Sequence, residues 1–231
     1  MAITLYDLAG SDAARRFSPF CWRAKMALAH KGLAVATVPW RFTEKDKLPQ
    51  PNAGRVPVIV DDGRVVHDST AIADYLETRY ADRTSLFGDE AARALTRFVQ
   101  NWTETVVQPG IVRFVVLDIW RHLGPEDRAY FRQSREERFG ASLEDVVADR
   151  TARLPAFRDS LTPLRRTVEH QQFLAGEAPA YADYVVFGAL QWARAISDFE
   201  LLAADDPVAA WRDRMLDAFG GVARKSPAYG G

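Results

Sequence analysis

Between residues 80 and 90 the hydrophobic rhythm of the chain changes, and that change limits the available folds more than any single motif does. Before it, short apolar runs alternate with helical patterns; after it, apolar residues recur only at spacings of three or four. Ile3 to Leu8 alternates as a strand, Cys21, Ala24 and Leu28 share one helix face, and Leu33 to Val38 reads as a second strand. Val56 to Val60 and Arg64 to His67 flank Asp61-Asp62-Gly63. An Asp-Gly pair between apolar runs is a strong hairpin signal. Asp68-Ser69-Thr70 then offers an N-cap to a helix whose inner stripe is Ile72, Leu76 and Tyr80. The resulting order, β-α-β-loop-β-β-α, describes an α/β domain over residues 1–80.

Residues 81–89 form a polar connector, and residues 90–231 read as an all-α domain. Ala91, Leu95, Phe98, Trp102 and Val106 lie on one helical stripe that leads to Pro109-Gly110, where the helix is expected to kink or end. Ile111, Val115 and Ile119 resume it, and later stripes run through Val185, Ala189, Trp192 and Ile196 and through Val208, Trp211, Met215 and Phe219. An 80-residue unit buries only about 60–65% of its unfolded surface on its own, so extensive packing between the halves is expected. A cleft between them is the expected ligand site.

Charge and motif content remove several function classes. Thirty basic residues against thirty-one acidic ones leave a formal charge of -1, so the chain lacks the excess that holds nucleic acid or an anionic membrane. One cysteine makes no internal disulfide, and no leader-like or membrane-spanning apolar stretch occurs, so a cytoplasmic protein is expected. His30, His67, His122 and His170 are scattered with no pair at i, i+4, which argues against a metal site. No GxGxxG, GxxxxGK[ST] or GxSxG is present, so nucleotide and serine-hydrolase chemistry lack their glycine turns.

The segment richest in chemistry is Phe17-Ser18-Pro19-Phe20-Cys21-Trp22-Arg23. Proline is favoured at the first helical position and serine just before it, so Ser18 is the expected N-cap. Read narrowly, this is a helix start. Read chemically, the unpaired N–H groups and positive dipole end favour an anion there, and a hydroxyl beside them stabilises a thiolate.

Ser18-Pro19-Phe20, Arg55-Val56-Pro57-Val58-Ile59-Val60 and Asp68-Ser69-Thr70, in this order and followed by an all-helical half, resemble the cytosolic glutathione transferases. The similarity spans essentially the whole chain. Ile3 to Leu8, Ala27 to Gly32, Val56 to Gly63 and Ala182-Asp183-Tyr184 resemble more narrowly the bacterial glutathione-dependent β-etherases that act on lignin-derived aryl ethers. The resemblance implies a thioredoxin-like first domain that binds glutathione and a helical second domain that supplies a hydrophobic acceptor site, assembled as a homodimer. It places Ser18 at the catalytic hydroxyl that hydrogen-bonds the glutathione sulfur. Val56 precedes the family's cis-proline, here Pro57, whose strand pairs with the cysteinyl part of the tripeptide. Asp68 and Ser69 fall at the acid and hydroxyl that hold the γ-glutamyl group, with Arg55 or Lys47 as the cation for the glycyl carboxylate. Simple capping is the alternative role for Asp68-Ser69-Thr70.

Two departures accompany the resemblance. Aspartate replaces the family's usual glutamate at position 68, and Ala180 stands where a capping-box hydroxyl normally precedes Asp183, which makes Asp183 structural. Tyr6 is a rival activator but reads as a core residue of its strand, and Cys21 has no partner thiol for dithiol exchange. The helix through Pro109-Gly110, with Trp102, Ile111, Phe114, Val115, Leu117 and Trp120, is expected to line the acceptor pocket, with Phe114 and Arg113 as candidates for touching an aromatic substrate. Arg132 to Arg138 reads as a solvated helix face. The expected activity is attack of a glutathione thiolate on a hydrophobic, aromatic electrophile, with cleavage of a β-aryl ether as the narrower form. The alternatives are a transferase of another substrate class, such as a dehalogenase or isomerase, and a non-catalytic ligand-binding protein of this fold.

Overall fold

The computed structural model describes residues 2–229. A thioredoxin-like α/β domain comes first and a helical domain follows. The first contains β1 (Ile3–Leu8), α1 (Pro19–His30), β2 (Val35–Trp40), β3 (Val58–Asp61), β4 (Arg64–His67) and α2 (Ser69–Arg79). The sheet order is β2-β1-β3-β4, with β1 and β2 parallel and the other pairs antiparallel. The second strand lies two residues later than the alternation suggests, and it includes Pro39 opposite Asp7. Its place at the sheet edge explains the tolerance, since an edge strand has one side on which no ladder N–H is required. β3 begins at Val58 rather than Val56, because Pro57 has no N–H to give to the ladder. Asp62 and Gly63 close the hairpin with φ of 48° and 78°, the two positive values a tight two-residue turn demands.

The helical domain runs through α3 (Glu90–Trp102), α4 (Gln108–His122), α5 (Pro125–Phe139), α6 (Leu143–Val147), α7 (Arg150–Ser160), α8 (Thr162–Val168), α9 (Tyr181–Ile196) and α10 (Pro207–Gly221). The expected break at Pro109-Gly110 takes another form: α3 passes into α4 through a π-helical turn, Thr103–Val107, and Pro109 sits in the first turn of α4. A proline in a regular helix meets the carbonyl four residues earlier; the widened turn relieves that meeting while the axis continues. Among the described residues no helix is long and apolar enough to cross a membrane.

One core joins the halves. α9 is buried along most of its length and packs on α1, where a Cβ at Gly188 would lie 2.5 Å from the Pro19 carbonyl oxygen. Only glycine permits that approach. Tyr181 donates its hydroxyl to the Ser69 carbonyl at 2.7 Å, tying the start of α9 to the start of α2. Asp183 receives N–H groups from Leu174 (2.7 Å), Ala175 (3.3 Å) and Ala180 (3.1 Å) and the Trp211 indole N–H (2.9 Å). Alanine has no acceptor to complete a capping box, so the carboxylate half forms alone.

The α3 stripe meets the core only at its end, where Trp102 packs against it. Leu95 is 69% exposed and Phe98 72%. Periodicity identifies a stripe without saying which side of the helix finds a partner.

Candidate active site

Ser18 caps α1 as its position before Pro19 requires. Its backbone is extended, and its Oγ accepts the Cys21 N–H at 3.2 Å. Only 4% of the residue is exposed, yet it forms part of the wall of a cavity of about 680 Å³ between the two halves. The Cys21 N–H occupies one lone pair of the hydroxyl and leaves its proton to be given elsewhere. Cys21 itself is wholly buried, and burial together with the charge of Asp7 pushes its thiol up. It therefore stays protonated and does not compete as an anion at the helix end.

Arg55 and Val56 line the same cavity, and the Val56–Pro57 peptide bond is cis. Asp68 N–H donates to the Pro57 carbonyl at 3.3 Å, so the segment after β4 is fastened directly to the segment before β3. Asp68 adopts φ 74° and ψ 133°, a conformation that costs an aspartate on the order of 1–3 kcal/mol and is found mostly where a site demands it. Its Oδ1 accepts the Thr70 N–H (2.8 Å) and the Ala71 N–H (3.1 Å), the capping role expected of it, while Oδ2 has no partner among the described residues. Ser69 is buried behind it. Asp68 and Ser69 adjoin the Val56–Pro57 corner but are not in the cavity wall itself. Tyr6 is also outside that wall, half-buried in the sheet. Lys47 pairs with Glu44 at 2.7 Å, whereas Lys45 reaches the cavity.

The helical side of the cavity departs most from expectation. α4 does contribute, but through Gln108, Pro109, Val112 and Ile119. Phe114 is 2% exposed and stacked on Phe199 with its ring against Phe157, and Arg113 lies over Phe139; neither faces the cavity. Ile111, Phe114 and Val115 serve the core, Trp120 lies under Arg128 and Arg132, and a different face of α4 borders the cavity. Residues that the sequence did not mark as site residues also line the wall: Phe42 and Trp192, with Tyr130, Phe131, Arg135 and Arg138 from α5. The run Arg132 to Arg138 is thus only partly a solvated face. Arg132 turns away to pair with Glu136 and Glu144, both at 2.8 Å, while Arg135 and Arg138 turn toward the cavity. Glu104, carried by the π turn, meets the wholly buried Arg23 at 2.6 Å. Among the described residues, no group of three or more His, Cys, Asp or Glu is placed to hold a metal ion.

Comparison with known families agrees with this layout. A glutathione S-transferase N-terminal domain model matches residues 14–84, and a glutathione S-transferase C-terminal domain model matches residues 94–219. The chain belongs to the glutathione S-transferase family. Among solved members, glutathione transferase GSTFuA3 from Phanerochaete chrysosporium superposes with a TM-score of 0.75 at 24% identity, covering 96% of this chain and 92% of that one. A glutathione S-transferase of Ceriporiopsis subvermispora, solved in complex with glutathione, gives 0.73 at 23% identity over 97% and 94%. A probable maleylacetoacetate isomerase from Caenorhabditis elegans is 37% identical over 92 residues, which are 38% of this chain and 43% of that protein. The match thus spans less than half the length of the isomerase.

Proposed function

We propose that this transferase activates glutathione with Ser18 and directs its thiolate onto a hydrophobic, aromatic electrophile held in the cavity between the halves. The observation that carries the reading is the Ser18 hydroxyl, capping α1 while forming part of the cavity wall with its proton free to give. Lowering a thiol pKa by about two units takes about 2.7 kcal/mol. A helix terminus contributes about 0.3–1 kcal/mol, and a hydrogen bond to a charged group about 1.5–3, so the two together suffice. Val56 offers backbone to the cysteinyl part, the free Oδ2 of Asp68 suits the γ-glutamyl ammonium, and Arg55 or Lys45 suits the glycyl carboxylate. The sulfur forms a bond to carbon, the leaving group departs with its electron pair, and the thiol proton passes to solvent.

In the narrower β-etherase form the leaving group is a phenolate. The isomerase relative favours a second reading, in which glutathione assists a rearrangement and is not consumed. Thioether formation from chlorodinitrobenzene or a β-aryl ether dimer, against a reaction that leaves the glutathione concentration constant, separates the two. Absence of glutathione affinity by calorimetry would overturn both.

The same reading takes residues 1–80 as the glutathione-binding domain, 81–89 as the linker and 90–231 as the acceptor domain, working in the reducing cytoplasm. It also assigns the exposed Leu95 and Phe98 on α3 to a homodimer interface, since an apolar stripe of this kind is costly in water. Light scattering at the mass of two chains, falling to one in L95E/F98E, is the expected result.

A further inference from the structure

The charges around the cavity do not balance. Its charged wall residues are Lys45, Arg55, Arg135, Arg138 and Glu104, and the single carboxylate is already neutralised by Arg23. Among the described residues none of the four cations has a carboxylate within ion-pair distance. Of the two cations of the first half, Arg55 adjoins Val56 and suits glutathione, while Lys45 lies over the Tyr130 ring at 5.4 Å. The glycyl carboxylate of glutathione needs one such partner.

Arg135 and Arg138 remain. They stand three residues apart on α5, on the same helix face, at the acceptor side of the cavity. The Arg135 guanidinium lies 4.7 Å from the centre of the Phe131 ring and 5.8 Å from that of Phe42, and its only hydrogen bond among the described residues is to the neighbouring Ser134 hydroxyl at 3.0 Å. Arg138 forms no hydrogen bond or ion pair among the described residues. Two like charges about one helical turn apart, one of them half-buried on aromatic rings, repel each other, and an anion between them relieves that repulsion. Burial disfavours the charge on Arg135, and the charge of Arg138 acts in the same direction. An arginine keeps its proton at neutral pH regardless, so both charges persist and a carboxylate placed between them is favoured.

We infer that the acceptor of this transferase carries a carboxylate, held by Arg135 and Arg138, on an aromatic body that packs against Phe42, Tyr130 and Phe131. The inference rests on the transferase reading above and adds a substrate class to it. A wall built for a neutral hydrophobic compound has no use for two unpaired guanidinium groups beside its rings. A fork of five donors, by contrast, matches a carboxylate with two parallel hydrogen bonds.

The test compares a chloronitrobenzoate with its methyl ester as acceptors for glutathione. In each case sulfur bonds to the ring carbon, chloride leaves with the bonding electrons, and the thiol proton goes to solvent. Each kcat/KM is divided by the uncatalysed rate of the same compound with free glutathione, which removes the difference in intrinsic reactivity. The preference for the carboxylate is expected to exceed about tenfold, to fall toward unity in R135Q and in R138Q, and to survive largely in R135K. An ester handled as well as the carboxylate, by an enzyme that binds glutathione and turns over chlorodinitrobenzene, would overturn the inference and leave the transferase reading standing. Failure to bind glutathione or to act on chlorodinitrobenzene would instead sink the transferase reading, and this inference with it. If R135Q loses glutathione affinity through misfolding, the wild-type ratio and R138Q, altered at an exposed position, still decide.

Discussion

On the sheet side of the cavity the chemistry is presented by backbone: a helix cap at Ser18, the corner at Val56–Pro57 and the cap at Asp68 fastened to that corner. On the helical side it is presented by side chains dispersed along α4, α5 and α9, with Val112, Tyr130, Arg135 and Trp192 drawn from three helices. On the proposed reading the first wall has one invariant task, holding a tripeptide and keeping its sulfur ionised. The second is suited to a task that changes with the acceptor, because a side chain on a rigid helix can be exchanged without moving any backbone. Substitutions in the two walls should therefore leave different kinetic signatures.

The largest effect belongs to the sheet side. Ser18→Ala is expected to lower kcat/KM by about a hundredfold, the usual scale for deleting one donor to a developing or resident anion. The loss should be equal for every acceptor tested, with glutathione affinity changed little. A loss confined to one acceptor would erase the distinction between the walls.

Gly188→Ala probes how far the helical half supports the sheet side. The added methyl would meet the Pro19 carbonyl, the residue next to Ser18, so α1 must shift. A cost of about 2 kcal/mol follows from overpacking, visible as a melting temperature lower by about 4–8 °C. A tenfold loss of activity should accompany it, since a displacement of that size moves the hydroxyl away from the sulfur. Unchanged activity in a destabilised variant would mean that Ser18 is held by its own loop alone.

The smallest effect lies on the opposite wall. Trp192→Leu should raise the KM for an aromatic acceptor about fivefold through lost ring contact, with the dissociation constant of glutathione unaltered. A matching change in glutathione affinity would show that the two walls are not separable.

The same division explains what could be read from the sequence. A cap, a turn and a proline corner are specified by neighbours within a few residues, so Ser18, Asp62-Gly63 and Val56-Pro57 are legible in the sequence. The helical wall depends on which face of each helix the core claims. Phe114 looked like a ligand contact because it is large and apolar, and for that reason the core took it, stacking it on Phe199. Arg135 and Arg138 looked like solvent-facing charge because the run around them is charged; the separating signal is that Arg132 has acids at i+4 and i+12 to pair with and they do not. The α3 stripe was legible as amphipathic, but that Leu95 and Phe98 stay exposed depends on which side of the helix the rest of the fold covers.

The sharpest test of Ser18 as thiolate stabiliser is the pKa of glutathione bound to the protein, followed by ultraviolet thiolate absorbance across a pH series in the wild type and in Ser18→Ala. A value about two units below that of free glutathione, returning most of the way in the variant, is what the helix-end geometry requires. Identical titrations of bound and free tripeptide, or of the two proteins, would contradict it.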